Sequence, residues 1–317
     1  MKKYLFCLAA LLFSSSSIFA QANCPTYYAN YMKDSGMSWM VKFIIGDIPQ
    51  GNHPSALGFN APGVKTISMK ANDTDCPTCD IKVIGEFYPN GLIKTLDGQT
   101  FNYDKQWRLQ NIVDKEGKVA YKYFYNSKGL LERVNSDFEG EWVYTYDENN
   151  KPTSVYCEMR HIRYTFKDGR VAEAKEIQDW ETFPQTFKYD PQGRFKGYDC
   201  ILFEGDDYAT YREVAWTYVQ GSLPVSITQR VWCYDTETKR KLGKAEIWNS
   251  RCTYTKDSKG NWLTWKATCA NNSSFSWDFK RTLTYYTDEE VKTALAEMEA
   301  AKNPSKGEDK KEEMWEF

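Results

Sequence analysis

Histidine is nearly absent from this sequence, which contains only His53 and His161 in 317 residues. Two histidines leave no locally supported Ser-His-Asp or Cys-His arrangement and argue against a zinc site. A surplus of basic residues is also missing, since 41 Lys and Arg stand against 43 Asp and Glu. A nucleic-acid-binding protein would show a basic footprint, so the composition argues against that class.

Signatures of catalysis and of cofactor binding are missing as well. No glycine-rich phosphate loop is present, and among 43 acidic residues the sequence singles out no pair of carboxylates for glycoside cleavage. Glu204, Asp206 and Asp207 lack the spacing of an EF-hand and are interpreted as an acidic loop. We therefore expect no catalytic, cofactor-binding or metal-binding residues, and we predict that the protein is not an enzyme.

Long apolar runs are missing beyond the first residues, and no later stretch is apolar enough to span a membrane. Residues 1–22 combine Lys2 and Lys3, a short apolar run and small residues at Ala20 and Ala22, which is typical of a secretory signal peptide. We expect export to the periplasm, the cell surface or the exterior. Without this leader the chain has 39 basic and 43 acidic residues, a net charge of −4.

Of the nine cysteines, Cys7 lies in the leader, so an even number of eight remains in the exported chain. An even count in an exported chain suggests disulfides, although the sequence does not choose among their pairings. A strand-like stretch follows Cys76-Pro-Thr-Cys79, which favours a structural disulfide or a free pair over a redox motif. The cysteines that could form disulfides are Cys24, Cys76, Cys79, Cys157, Cys200, Cys233, Cys252 and Cys269.

Aromatic residues are abundant, with 22 Tyr, 17 Phe and 11 Trp, and many of them recur in similar segments such as FNYDKQWRL at 101–109 and FKYDPQGRF at 187–195. In six of seven such segments two aromatic residues stand two positions apart, and in five of these the residue between them is polar. This alternation is the pattern of a half-buried strand. The second aromatic positions are Tyr103, Tyr125, Tyr146, Phe166, Tyr189, Tyr218 and Tyr254.

A reverse-turn signal follows these aromatic residues. Asp190-Pro191-Gln192-Gly193 has the preferences of a type I turn, and the segments 126–129 and 257–260 repeat the scheme. Further turn signals lie between these, so that turns come about every 10 to 12 residues in the best-patterned region. This spacing, without helical segments between the strands, predicts an all-β antiparallel structure. Such a long sheet must curl, close or be capped.

These segments resemble the YD repeats of the RHS family, exported bacterial proteins in which Tyr-Asp repeats build long spiralling β-sheets. The resemblance covers residues 63–286 and implies an extended, curled antiparallel β-meander of YD-type hairpins. The segment EFYPNGLIKT at 86–95 is also similar to MORN-type repeats, which is the alternative family. About thirty residues follow Tyr286, too few for the toxin domain of large RHS proteins. The resemblance therefore transfers no catalytic residue to this chain.

The two ends differ from the repeat domain. Residues 23–62 have no clean period and are interpreted as an irregular N-terminal cap. Residues 287–290 form a capping box, which predicts a helix in the segment 287–303 that covers the last strands or docks on a partner. Residues 304–317 are predicted to be a disordered charged tail. The apolar stripe of the helix comprises Val291, Ala294, Leu295 and Met298.

Several tryptophans lie outside the aromatic ladder. Exposed tryptophans on a broad sheet are typical of sugar-binding surfaces and of protein interfaces, whereas the alternative is that these rings pack the interior. The candidate ligand surface comprises Trp107, Trp142, Trp180, Trp248 and Trp262.

We expect an exported, non-enzymatic repeat protein whose extended β surface binds a protein or a glycan at the cell exterior or in the periplasm. Two alternatives stay open. One is a carbohydrate-active enzyme with carboxylates in its loops, and the other is an adaptor component related to RHS systems.

Overall fold

Eighteen antiparallel strands and one helix form the described part of the chain. The computed structural model describes residues 63–73, 81–136, 140–159, 161–168, 170–178, 181–191, 195–203, 209–219, 224–271 and 276–302. The strands are β1 (Val64–Asp73), β2 (Ile81–Phe87), β3 (Ile93–Leu96), β4 (Gln99–Tyr103), β5 (Leu109–Val113), β6 (Val119–Tyr125), β7 (Leu131–Ser136), β8 (Gly140–Tyr146), β9 (Pro152–Cys157), β10 (Ile162–Lys167), β11 (Arg170–Gln178), β12 (Glu181–Tyr189), β13 (Phe195–Phe203), β14 (Ala209–Thr217), β15 (Ser226–Asp235), β16 (Arg240–Lys256), β17 (Trp262–Cys269) and β18 (Trp277–Tyr285). The helix is α1 (Asp288–Lys302).

The sheet closes on itself. Each strand pairs with the next along the chain, and β1 pairs with both β2 and β18. The seam between β1 and β18 runs from Val64 opposite Tyr285 to Asp73 opposite Trp277, and the hydroxyls of Thr66 and Thr284 lie 2.6 Å apart across it. The all-β antiparallel meander is therefore confirmed, whereas the extended, curled sheet that the resemblance implied is wrong, because the sheet closes into a barrel. Closure satisfies the N–H and C=O groups that the first and last strands would otherwise expose.

The aromatic ladder faces the inside of the barrel, as its spacing predicts. The first ring of each pair is buried: these are Phe101, Tyr123, Tyr144, Tyr164, Phe187 and Trp216. The second ring packs against the same core. Polar residues between the rings face outward, where Asn102 donates a 2.8 Å hydrogen bond to Asn111 and the Thr145 and Ser154 hydroxyls lie 2.8 Å apart. The period of two thus separates an aromatic core from a hydrated outer face.

The tyrosine and the aspartate of the Tyr-Asp pair have different structural roles. Asp104 Oδ1 accepts hydrogen bonds from the backbone N–H groups of Gln106 and Arg108, both at 2.8 Å, and so fixes the turn. The Tyr103 hydroxyl donates a 2.8 Å hydrogen bond to the carbonyl of Ile93 on the preceding strand. The tyrosine therefore ties one hairpin to the one before it, while the aspartate shapes the turn to the next strand.

Five of the predicted disulfide cysteines lie in the described residues, and no disulfide links any two of them. They are distributed over β9, β13, β15, β16 and β17, so that they belong to strands rather than to facing loops. The expected disulfides are therefore not shown among them. The five are Cys157, Cys200, Cys233, Cys252 and Cys269. The other three, Cys24, Cys76 and Cys79, lie outside the described residues, as do the predicted leader, N-terminal cap and charged tail.

Within the described residues, no helix has the length and apolar character needed to cross a bilayer. Helix α1 is amphipathic but not strongly so: Ala294 is buried and Leu295, part of the predicted stripe, is 41% exposed. The capping box predicted from the sequence is formed, since the Glu290 backbone N–H lies 3.3 Å from Thr287 Oγ1 and Glu290 Oε2 accepts from the Thr287 N–H at 2.7 Å. Hydrogen bonds from the Thr287 backbone N–H and hydroxyl hold the pKa of the Glu290 carboxyl below its ordinary value.

Candidate ligand-binding groove

Helix α1 is anchored on the end of the barrel at which β1 begins and β18 ends, which we call the rim. The Tyr286 N–H donates a 2.8 Å hydrogen bond to the Gly63 carbonyl, and the Tyr286 hydroxyl donates one of 2.8 Å to the Phe87 carbonyl. Val291 packs on the other side of the junction, so closely that a Cβ on Gly63 would lie 3.3 Å from Val291 Cγ2. These contacts fix where the helix starts relative to the ends of β1 and β2.

A groove of about 410 Å³ lies between the helix and the rim, and we call it the rim groove. The barrel contributes Tyr88, Pro89, Asn90 and Trp107 to its lining. The helix contributes the stripe Glu289, Glu290, Thr293, Ala294 and Glu297. An aromatic wall therefore faces an acidic one, and none of these lining residues is basic.

The aromatic wall is a corner of rings. The ring centroids of Tyr88 and Trp107 lie 5.5 Å apart at an interplanar angle of 70°, which is an edge-to-face contact. Tyr103 packs behind both rings, 6.0 Å from Tyr88 and 6.3 Å from Trp107. Because the Tyr103 hydroxyl is hydrogen bonded to the Ile93 carbonyl, this supporting ring is fixed by the repeat ladder itself.

Trp107 has a backbone conformation that is unusual for a large side chain. It closes the turn after Asp104 with φ +60°, where the equivalent positions of other turns carry Gly117, Gly129 and Gly260 at φ +84°, +75° and +82°. A residue with a Cβ costs roughly 1–2 kcal/mol in this left-handed region. A positive φ is uncommon for a bulky residue, and here the side chain forms one wall of the groove.

Asn90 is the buried polar residue of the lining, at 7% exposure. Its Oδ1 accepts a 3.1 Å hydrogen bond from the Leu92 N–H, which assigns the orientation of the amide. Its Nδ2 then has no hydrogen-bond partner among the described residues. An unpaired buried donor is costly, but this nitrogen is itself shielded from solvent and does not offer a hydrogen bond to an occupant of the groove.

The five predicted surface tryptophans have different positions in the structure. Trp107 lines the rim groove, and Trp248 is half-buried on β16. Trp142 and Trp262 are 1% and 2% exposed, so that neither can belong to a ligand surface. Both rings instead pack the interior, which was the alternative interpretation, because their inward positions on β8 and at the start of β17 place them in the aromatic core. Trp180 lies outside the described residues.

A second group of aromatic residues lies on the outer face of β14 to β16, and we call it the outer cluster. Tyr211 and Trp232 are paired across β14 and β15, with ring centroids 6.0 Å apart at 72°. Lys241 Nζ lies 4.0 Å from the Tyr211 centroid and 4.2 Å from that of Trp232, and it is 2.6 Å from Glu213 Oε1. The aromatic corner of the outer cluster is therefore already occupied by a lysine of the chain itself.

The outer cluster also affects the titration of its tyrosine. Burial, together with the nearby carboxylates of Asp199 and Glu213, raises the pKa of Tyr211 to about 12. The hydroxyl thus stays protonated next to the Lys241–Glu213 ion pair over the physiological range. Among the described residues no group of three or more His, Cys, Asp or Glu is arranged to hold a metal ion.

The residues of the rim groove other than Trp107 were not predicted from the sequence. Tyr88, Pro89 and Asn90 belong to the segment that resembles repeat hairpins, where they look like ordinary strand-end and turn residues. Glu289 and Glu290 were assigned to the capping box and the first helical turn. The one sequence feature that could have indicated the groove is Trp107, which closes a turn at a position where three other turns have glycine.

Comparisons with known proteins show no family for this chain and only weak similarity to solved structures. No family model and no curated protein sequence matches the chain. Among solved structures, a TcdB2–TccC3 toxin complex is 14% identical over 59% of this chain with a TM-score of 0.31, and the Tc holotoxin pore of Photorhabdus luminescens is 13% identical over 64% with a TM-score of 0.31. This chain spans 11% of each of those chains. A porin-like protein from Bacteroides vulgatus is 12% identical over 68% of this chain and 97% of its own, with a TM-score of 0.35.

Proposed function

We propose that this chain is an exported binding protein without enzymatic activity, and that its rim groove holds part of a protein or glycan partner in the periplasm or at the cell exterior. The observation that carries the proposal is Trp107, a large ring kept in a strained left-handed conformation as one wall of an open groove. The signal-peptide pattern of residues 1–22 supports export.

The distribution of acidic residues in the groove supports binding over glycoside cleavage. Glycosidases place two carboxyl groups on opposite sides of the scissile bond, roughly 5 to 9.5 Å apart. In the rim groove Glu289, Glu290 and Glu297 all belong to the helix, and the facing wall is made of Tyr88, Pro89, Asn90 and Trp107. A bound chain would therefore meet carboxylates on one side only, an arrangement suited to recognition.

The proposal is tested with Trp107→Gly in the purified exported chain. Glycine is the residue that three other turns use at this position, so relief of backbone strain, about 1 kcal/mol, should offset part of the packing lost with the ring. We expect the variant to remain folded by circular dichroism and to lose retention on intact cells of the exporting organism. The matched control is Asn150→Gly, which changes the closing residue of another turn, at φ +60°, outside the groove.

Retention that is equal for wild type, Trp107→Gly and Asn150→Gly would show that the groove is not the binding site. Wild-type protein that is never retained would contradict the binding function itself.

A further inference from the structure

We propose that the rim groove recognises a lysine side chain of a protein partner, an inference that rests on the proposed binding function and adds the ligand class. The geometry points to this ligand because a similar pair of rings elsewhere in the chain already holds a lysine. In the outer cluster a Tyr–Trp corner at 72° and the carboxylate of Glu213 hold Lys241. In the rim groove a Tyr–Trp corner at 70° faces glutamates, and none of the lining residues is a cation.

The two corners have closely similar dimensions. Their ring centroids are 6.0 Å apart in the outer cluster and 5.5 Å apart in the groove. Within about 6 Å of an aromatic centroid an ammonium group gains from the quadrupole of the ring, and a nearby carboxylate adds to that gain. A lysine entering the groove could therefore place its aliphatic stem along Trp107 and its Nζ toward Tyr88 and the helix.

Charge selects a cation over a neutral sugar. Glu289 and Glu297 are exposed side chains of the helix wall, whereas the Glu290 carboxylate already accepts from Thr287. Two exposed carboxylates beside an apolar corner favour an ammonium group over a hydroxyl group, because a hydroxyl group carries no charge to pair with them. The groove is thus complementary to a side chain that is apolar along its length and positive at its end.

The size of the groove also bears on the occupant. A groove of about 410 Å³ has room for the flanking backbone of a peptide in addition to one side chain. The occupant is therefore a lysine within an exposed peptide segment of a partner protein.

The experiment uses the exported chain and four synthetic peptides that differ only at the centre, Ac-Gly-Ala-X-Ala-Gly-NH2, with X as lysine, Nε-acetyl-lysine, norleucine or glutamate. Binding is followed by the ¹H–¹⁵N signal of the Trp107 indole, which is assigned by its loss in Trp107→Phe. We expect the lysine peptide to bind with a Kd of about 1–10 mM, and the three others to bind at least about tenfold more weakly. Added salt should weaken the lysine peptide, because the helix glutamates are exposed.

Two double variants test the acidic wall. Glu289→Gln with Glu297→Gln should weaken the lysine peptide at least about fivefold, since two of the three carboxylates that line the groove are removed. Glu132→Gln with Glu148→Gln removes the same charge from exposed positions outside the groove and should leave the affinity unchanged.

The outcomes separate this inference from the proposed function. Equal binding of the norleucine or acetyl-lysine peptide, or no effect of the Glu289 and Glu297 changes, would overturn lysine recognition. A lysine peptide that does not bind at all, or a saccharide that binds in its place, would also overturn it. If Trp107→Gly still abolishes retention on cells in these cases, the groove remains the binding site and only the ligand class is wrong.

Discussion

The hydroxyls of the inward-facing tyrosines should carry a measurable share of the stability of the barrel. Tyr103, Tyr125 and Tyr146 donate hydrogen bonds of 2.8, 2.8 and 2.5 Å to carbonyls of the strand before their own. The decisive perturbation is the triple change of these residues to phenylalanine. It keeps every ring in the aromatic core and removes only the three hydroxyls.

The magnitude follows from the number of bonds. A partly buried intramolecular hydrogen bond contributes about 1 kcal/mol net, and the three bonds lie in different hairpins, so their effects should add. Tyr125→Phe should therefore cost about 1 kcal/mol and the triple variant about 3 kcal/mol of the free energy of unfolding. For a protein of this size 1 kcal/mol corresponds to a shift in Tm of roughly 2 °C.

The assay is urea-induced unfolding followed by near-ultraviolet circular dichroism. The matched control is Tyr156→Phe, because Tyr156 faces outward on β9, where Arg163 lies over its ring at 5.0 Å. The control should change the free energy of unfolding by less than about 0.5 kcal/mol. If the control costs as much as Tyr125→Phe, or the triple variant is as stable as wild type, the hydroxyl ladder does not hold the hairpins together.

The same ladder gives a pH dependence. Burial raises the pKa of Tyr146 to about 12, whereas the unfolded chain titrates near 10. The neutral phenol is therefore favoured by folding, so its contribution is complete below pH 10 and is lost as the pH rises from 10 toward 12. Each such tyrosine can lower the free energy of unfolding by at most about 1.4 kcal/mol per pH unit, and by less here because the group is partly exposed. Stability of Tyr146→Phe should fall less steeply than that of wild type between pH 10 and 12.

Four further substitutions test the turns, a close strand contact and the helix cap. Gly197→Ala should lower the free energy of unfolding by more than about 3 kcal/mol, because its Cβ would lie 1.9 Å from the Val214 carbonyl oxygen at φ +138°. In Gly117→Ala the added Cβ would have no neighbour within 4 Å, so this variant should cost only about 1 kcal/mol, through its positive φ. If Gly197→Ala and Gly117→Ala lower the free energy of unfolding equally in chemical denaturation, the close contact at Gly197 is not important. Asn126→Ala removes an acceptor of two backbone N–H groups at 3.0 Å and should cost about 1–2 kcal/mol by the same assay. Thr287→Ala should cost about 1 kcal/mol in helix stability and increase amide exchange in α1, and unchanged exchange would show that the capping box is not needed there.

The hairpins could be predicted from the sequence because each is determined within a few residues. The turn is determined locally by two residues. The side chain of an aspartate or asparagine accepts a hydrogen bond from the backbone N–H two residues later, and a glycine at positive φ then closes the turn. The direction of the aromatic rings follows from a period of two, which depends only on neighbouring positions. These features are as the sequence indicated.

Closure and the rim groove depend on contacts between distant residues. The seam pairs Val64 with Tyr285, and no local pattern fixes that register. The groove forms where α1 meets the ends of β2 and β4, so the sequence shows its residues only as turn and helix positions. Trp142 and Trp262 illustrate the same limit, because a tryptophan outside the repeat ladder can face inward or outward according to a register that the sequence alone does not determine.

The closed sheet restricts where the described part of the chain can meet a partner. The hairpin of β15 and β16 extends past its neighbour, since β16 begins at Arg240 but pairs with β17 only from Ser250. That stretch is a poor template for another strand, because the register of β15 and β16 shifts beside Gly243, at φ +69°, and Lys241 and Lys244 are charged. The outer cluster is occupied by its own lysine. The rim groove differs from both, since its aromatic corner and its carboxylates are in place and the cation that they fit is not among its lining residues. For this reason we propose that binding takes place at the rim rather than at either of the other two surfaces.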